Sequence, residues 1–190
     1  MAALLAYLLG TIPFADLAAW LGSRGSVHLR EEGSGNPGGT NVGKTVGKAW
    51  GAGVIAADVG KSVTACVASR AIAGTPHIGG PLAVIGHCYP VWNGWRGGKG
   101  VACAGGQMWA TYTQYIPFAA VSSLGLAQAQ SAFLGTAVAS GGWVGASYLK
   151  YRRGDATIGL PVAALISSVV VLRRFAVAEA AKTAAEVSET

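Results

Sequence analysis

The chain has 190 residues, about one domain's length, of which 52% are hydrophobic and only 12% charged, with 29 glycines and a mean hydropathy of +0.44. Soluble domains carry roughly 25% charge, so an ordinary water-soluble domain is excluded, and the Gly and Ala content fits apolar helices packed closely in a bilayer. The net charge of +6 is scattered between apolar runs, which points away from nucleic acid as a partner and toward basic loops beside membrane spans.

Residues 1–22 carry one charge, Asp16, lack a basic start, and read as a retained span rather than a cleaved leader. Further spans are expected at 49–69 and 78–92. Residues 101–149 are 49 positions without Lys, Arg, Asp or Glu; as helix they would reach about 73 Å, more than twice a bilayer core, so they must turn back and hold two or three spans. A last span is expected at 157–172. The prediction is an all-α polytopic membrane helix bundle of about seven spans, some short. Residues 1–172 form a single transmembrane domain, and 173–190 a charged cytoplasmic tail that is a short amphipathic helix or a frayed end. Cys66, Cys88 and Cys103 match neither a disulfide framework nor a metal spacing and read as small apolar fillers.

The polar segments 23–48 and 93–100 are separated by two spans, so they share one face. Their Arg24, Arg30, Lys44, Lys48, Arg96 and Lys99 make that face cytoplasmic and the N-terminus external. An odd number of crossings then puts Arg173 and Arg174 inside, but places "KYRRGD" (150–155) outside, against the rule.

The stretch "EEGSGNPGGTNVGK" (31–44) satisfies G-x-G-x-x-G through Gly33, Gly35 and Gly38. No strand precedes it and Pro37 interrupts it, so a dinucleotide fingerprint is rejected. Its glycines can turn backbone N–H groups toward an anion, with Ser34, Asn36, Thr40 and Asn41 as neutral donors and Lys44 as a cation; taken alone, the loop fits a flexible linker as well. In "GHCYPVWNGWRGGKG" (86–100), Arg96 and Lys99 sit among Gly97, Gly98 and Gly100, again suited to an anion, though the pattern is not a P-loop. Trp92 and Trp95 fit an interfacial belt. His87 is a candidate base or phosphate donor, or an ordinary structural histidine. Asp58 and Lys61, three apart on one helix face, read as an internal ion pair supporting the site from behind.

"GTIPFADLAAWL" (10–21), "GSGNPGGTN" with Lys44, "DVGK" and "GHCYPVWNGWRGGKGVA" together resemble the bacterial acyl-phosphate:glycerol-3-phosphate acyltransferases over most of residues 5–105. The resemblance implies a seven-span enzyme of the bacterial cell membrane, with its site toward the cytoplasm. It would move a fatty acyl group from acyl phosphate to the 1-hydroxyl of glycerol 3-phosphate, giving lysophosphatidic acid without cofactor or metal. It also implies catalytic roles for Ser34, His87 and Lys99 and phosphate binding by Asn36, Thr40, Asn41, Lys44, Arg96, Gly97, Gly98 and Gly100. The chain departs from the family pattern at Lys44 (usually Arg), Arg96 (usually Lys), Arg174 (His expected) and Val177 (Asn expected), so part of the acceptor site is missing by this comparison. The rival expectations are a non-catalytic paralogue that binds phosphorylated lipid, and a small transporter with Asp58 and Lys61 along its path.

Overall fold

A computed structural model describes residues 1–129 and 131–188; the last two residues of the expected tail, 189–190, lie outside the described residues. Among the described residues every regular element is helical: α1 (Ala2–Gly10), α2 (Phe14–Ser23), α3 (Gly39–Thr45), α4 (Lys48–Ala73), α5 (Gly79–Cys88), α6 (Val101–Thr111), α7 (Ile116–Ala129), α8 (Ala132–Arg152) and α9 (Gly159–Ser188). Three segments are long and apolar enough to cross a membrane unaided: Ala2–Ser23, Lys48–Ala73 and Gly159–Ala181. With α1 and α2 taken as one broken span, α5, α6, α7 and α8 complete a seven-segment bundle, in line with the sequence reading. Helix α3 lies inside the segment read as a loop. Helix α9 continues past Leu172 without a break, so no separate tail helix begins at Arg173.

The bundle is apolar outside, and polar residues are interspersed among small apolar ones inside. Leu4, Leu17, Ile55, Val67, Val121, Leu165 and Val169 are exposed, whereas Ser62, Ser69, Gln107, Ser147, Ser167 and Ser168 are buried. Water would favour polar groups outside; in lipid, hydrocarbon solvates the apolar outer side chains. Although the Ser62, Ser147 and Ser168 hydroxyls find no partner among the described residues, other interior polar groups pair with one another. Ser167 of α9, for example, donates to Gln107 of α6 at 2.5 Å. Small residues let backbones touch: a methyl group at Gly79, Gly86 or Gly106 would overlap the carbonyl oxygen of Ala65, Tyr7 or Val59. Cys66, Cys88 and Cys103 are buried thiols with no disulfide.

Helix α4 is the hub, packed against α1, α2, α3, α5 and α6, while α9 closes the bundle against α5, α6 and α8. The segments between α2 and α4 and between α5 and α6 meet at one end, together with Arg173 and Arg174, which lie over the ring of Tyr89. Lys150 lies 4.8 Å over the ring of Tyr112 at the other end. The structure therefore puts the basic stretch 150–155 opposite the glycine-rich loops, as the count of seven requires.

Candidate active site

The site begins with a broken helix. Pro13 has no N–H to donate and its ring opposes a continuing helix, so α1 ends at Gly10 and α2 restarts at Phe14. The break frees the carbonyl of Ile12, which accepts a bond from Lys61 Nζ at 2.9 Å. Irregular backbone at membrane depth persists where buried polar groups satisfy it. Lys61 Nζ also lies 2.8 Å from Asp58 Oδ1 and 3.0 Å from His87 Nδ1, and His87 Nδ1 is 3.4 Å from Asp58 Oδ1. The Lys61 and Asp58 side chains are only 3% and 4% exposed. Such charges are tolerated at depth because each meets its opposite and a further polar partner.

The first glycine-rich loop folds around Asn41. Its Oδ1 accepts the Ser34 N–H at 2.9 Å, and its Nδ2 donates to the carbonyls of Glu32 and Leu29 at 3.0 and 3.1 Å. Gly33, at φ +61°, passes so close that a side chain there would overlap Asn41 Oδ1. Asn41, expected to bind phosphate, is buried with both ends of its amide engaged inside the loop, where it acts as an internal strut.

This folding brings Arg30 and Pro37 onto the second loop. Arg30 forks onto Asp16 at 2.8 and 3.2 Å and donates to the Arg96 carbonyl at 3.3 Å. Asn93 donates to Asp16 at 3.4 Å. The Gly97 and Gly98 amides donate to the carbonyls of Cys88 and His87 at 3.1 and 3.2 Å. Their own carbonyls take the Arg174 guanidinium at 2.6 and 3.3 Å. With those amides committed, the turn offers a ligand its contour and surrounding charges rather than two free N–H groups. A methyl group on Gly98 would strike His87 Nε2 and stand 2.9 Å from the Pro37 carbonyl.

These pieces wall one cavity. Asp58, Lys61 and His87 form its floor, Gly97, Gly98 and Asn93 one side, Arg30 and Pro37 another, and the first turn of α2 with Asp16 its mouth. Helix starts favour anions. Its volume is about 20 Å³, room for about one water. Ser34, Asn36, Thr40, Lys44, Arg96, Lys99 and Gly100 lie outside that wall. Ser34, Thr40, Lys44 and Arg96 are exposed, and Lys99 stands 4.2 Å over the Phe175 ring. Sequence reasoning missed Asp16, Arg30, Asn93 and Arg174, for which the Pro13 break and the paired Asp16 and Arg30 charges were the available signals. Asp58, His87 and Cys103 present donor atoms within 4.8 Å of one another, a metal-like grouping, but the ammonium of Lys61 already supplies that cluster's cation. Phe14 also opens onto an apolar groove of about 330 Å³ lined by Leu17, Leu21, Trp50, Gly53 and Ala57.

The glycerol-3-phosphate acyltransferase family model matches residues 1–180. The chain belongs to the glycerol-3-phosphate acyltransferase family. Curated members named glycerol-3-phosphate acyltransferase include those of Roseobacter denitrificans, 49% identical over 98 residues (50% of this chain, 48% of the relative), and Geobacillus kaustophilus, 44% over 107 residues (55% and 53%). The matched region thus spans about half the length of these relatives. Crystal structures of PlsY, an integral membrane glycerol 3-phosphate acyltransferase, in glycerol 3-phosphate and lysophosphatidic acid forms both superpose with a TM-score of 0.76 at 29% identity. The match covers 91% of this chain and 86% or 85% of theirs. Like other members of the family, the chain is an integral membrane protein with an apolar exterior.

Proposed function

We propose that the chain transfers a fatty acyl group from acyl phosphate to the 1-hydroxyl of glycerol 3-phosphate, releasing inorganic phosphate and lysophosphatidic acid. One observation carries this reading: both glycine-rich loops and the Asp58–Lys61–His87 cluster wall a single cavity in a chain of this family. The hydroxyl oxygen attacks the acyl carbonyl, the bond from carbonyl carbon to phosphate oxygen breaks, and the departing phosphate takes the hydroxyl proton. Acyl phosphate brings its own leaving group, so catalysis consists of orienting two phosphates and stabilising developing charge.

His87 Nδ1 is held between Lys61 Nζ at 3.0 Å and Asp58 Oδ1 at 3.4 Å, which leaves Nε2 as the ring nitrogen available to a ligand. That nitrogen faces the Gly98 turn and, when protonated, serves as donor to a phosphate or carbonyl oxygen. Gly97, Gly98 and Gly100 shape the turn, flanked by Lys99 and Arg96. Ser34, Thr40 and Lys44 form the exposed rim of the first loop, with Asn36 half-buried beside them and Asn41 setting the loop's conformation. The groove beginning at Phe14 holds the acyl chain, so that its carbonyl reaches the polar cavity. Arg24, Arg30, Lys44, Lys48, Arg96 and Arg173 gather at the site's end of the bundle, which supports a cytoplasmic site, an external N-terminus and residence in the bacterial inner membrane.

The test is purified protein in detergent–lipid micelles given acyl phosphate and labelled glycerol 3-phosphate. Labelled lysophosphatidic acid is the expected product. Its absence would end the enzyme reading and favour a non-catalytic paralogue that binds phosphorylated lipid. A transporter is disfavoured because Asp58 and Lys61 are locked onto each other and onto Ile12 rather than lining a passage.

A further inference from the structure

The charges that wall the cavity cancel: Arg30 and Lys61 face Asp16 and Asp58. A site for a phosphate dianion must therefore uncover a cation when the ligand arrives. The two ion pairs differ greatly in what that costs. Lys61–Asp58 is sealed at 3% and 4% exposure, and parting a buried pair leaves a bare charge in a poor solvent. Arg30–Asp16 sits at the mouth with its side chains 38% and 30% exposed, where water receives a released carboxylate and the pairing is weak.

We propose that Arg30 is a substrate-phosphate ligand held in reserve by Asp16. An incoming phosphate takes the place of the Asp16 carboxylate on the guanidinium fork, and Asp16 turns outward. This rests on the acyltransferase reading for its substrate. The same planar fork binds carboxylate and phosphate alike, so the exchange conserves Arg30's hydrogen bonds while changing the cavity's net charge by one unit. Two further contacts couple the exchange to the loops. Arg30 also bonds the Arg96 carbonyl at 3.3 Å, and Asn93 bonds the same Asp16 carboxylate at 3.4 Å. Departure of Asp16 thus releases the second loop from α2 and widens a cavity that in its latched form has room for about one water.

Asp16→Asn, Arg30→Ala and the double variant are compared by varying glycerol 3-phosphate and acyl phosphate separately in steady state. In parallel, binding of inorganic phosphate to the purified protein is measured by calorimetry, without turnover. Asp16→Asn should lower KM for one of the two phosphates by about twofold to fivefold, the worth of an exposed pair, with the change falling on KM rather than kcat. Arg30→Ala should raise the same KM by about tenfold to a hundredfold, as for a lost charged hydrogen bond. The double variant should match Arg30→Ala alone, since Asp16 acts through Arg30. Whichever substrate responds is the one whose phosphate Arg30 takes. The calorimetric arm should follow the same order: Asp16→Asn tightest, then wild type, then Arg30→Ala. Phosphate binding in that order without any acyl transfer would uphold the latch while refuting the acyltransferase reading. Equal losses from Asp16→Asn and Arg30→Ala would mark the pair as a mere strut and overturn the latch. So would wild-type affinity in Arg30→Ala, or no phosphate binding by wild type.

Discussion

Replacing Lys61 with Met tests how the centre of the bundle is held. Methionine keeps most of the unbranched stem, so packing changes little, but Asp58 Oδ1, the Ile12 carbonyl and His87 Nδ1 lose a partner now 2.8–3.0 Å away. Removing one member of a buried pair costs about 3–5 kcal/mol, because the other charge stays behind uncompensated. For a chain of this size each kcal/mol moves Tm by about 2–4 °C, so Lys61→Met should melt about 6–20 °C lower. Adding Asp58→Asn removes the stranded charge and should restore more than half of that loss. Thermal unfolding in one detergent, followed by tryptophan fluorescence, reads both variants. A Lys61→Met shift below about 3 °C, or a double variant less stable than the single one, would refute the idea that the pair neutralises itself at depth.

Asn41→Ala should destabilise the protein by about 1.5–4.5 kcal/mol, the sum of three hydrogen bonds at typical net worth, measured by the same unfolding assay. Stability within 0.5 kcal/mol of wild type, about the noise of a surface change, would mean that Asn41 is not the strut of the first loop. Gly98→Ala pushes a methyl group into His87 Nε2 and the Pro37 carbonyl, an overpacking of about 1–3 kcal/mol, and should cut kcat/KM about tenfold; unchanged turnover would show that the loops need not touch. Gly53 borders the groove that starts at Phe14 and has open space where its side chain would be. Gly53→Leu should therefore shift preference toward shorter acyl phosphates in a chain-length competition, and an unaltered profile would place the chain elsewhere.

Much of the fold was legible because it follows from solvent. Long uncharged runs must be helices in lipid, and two basic glycine-rich segments separated by two spans must share one end. Less legible was how each loop uses its own polar groups. Asn41 looks like a ligand donor in sequence, yet a loop with left-handed glycines needs an internal acceptor, and Asn41 supplies it. The Gly97 and Gly98 amides look free, yet the chain leaving α5 turns back so tightly that the carbonyls of His87 and Cys88 claim them. Residues 1–22 read as one span although Pro13 marks a break in it, and the freed Ile12 carbonyl is what completes Lys61. The contact of Arg174 with the Gly97 and Gly98 carbonyls depends on α9 crossing the second loop, a register no local pattern states.

The most direct test of the shared cavity is calorimetric titration of inorganic phosphate into wild type, Arg30→Ala from the first loop and Gly98→Ala from the second. Two loops meeting on one phosphate predict a single site in wild type, with each variant weakening that same site by about tenfold or more. Undiminished affinity in either variant would contradict the claim that both loops hold the phosphate.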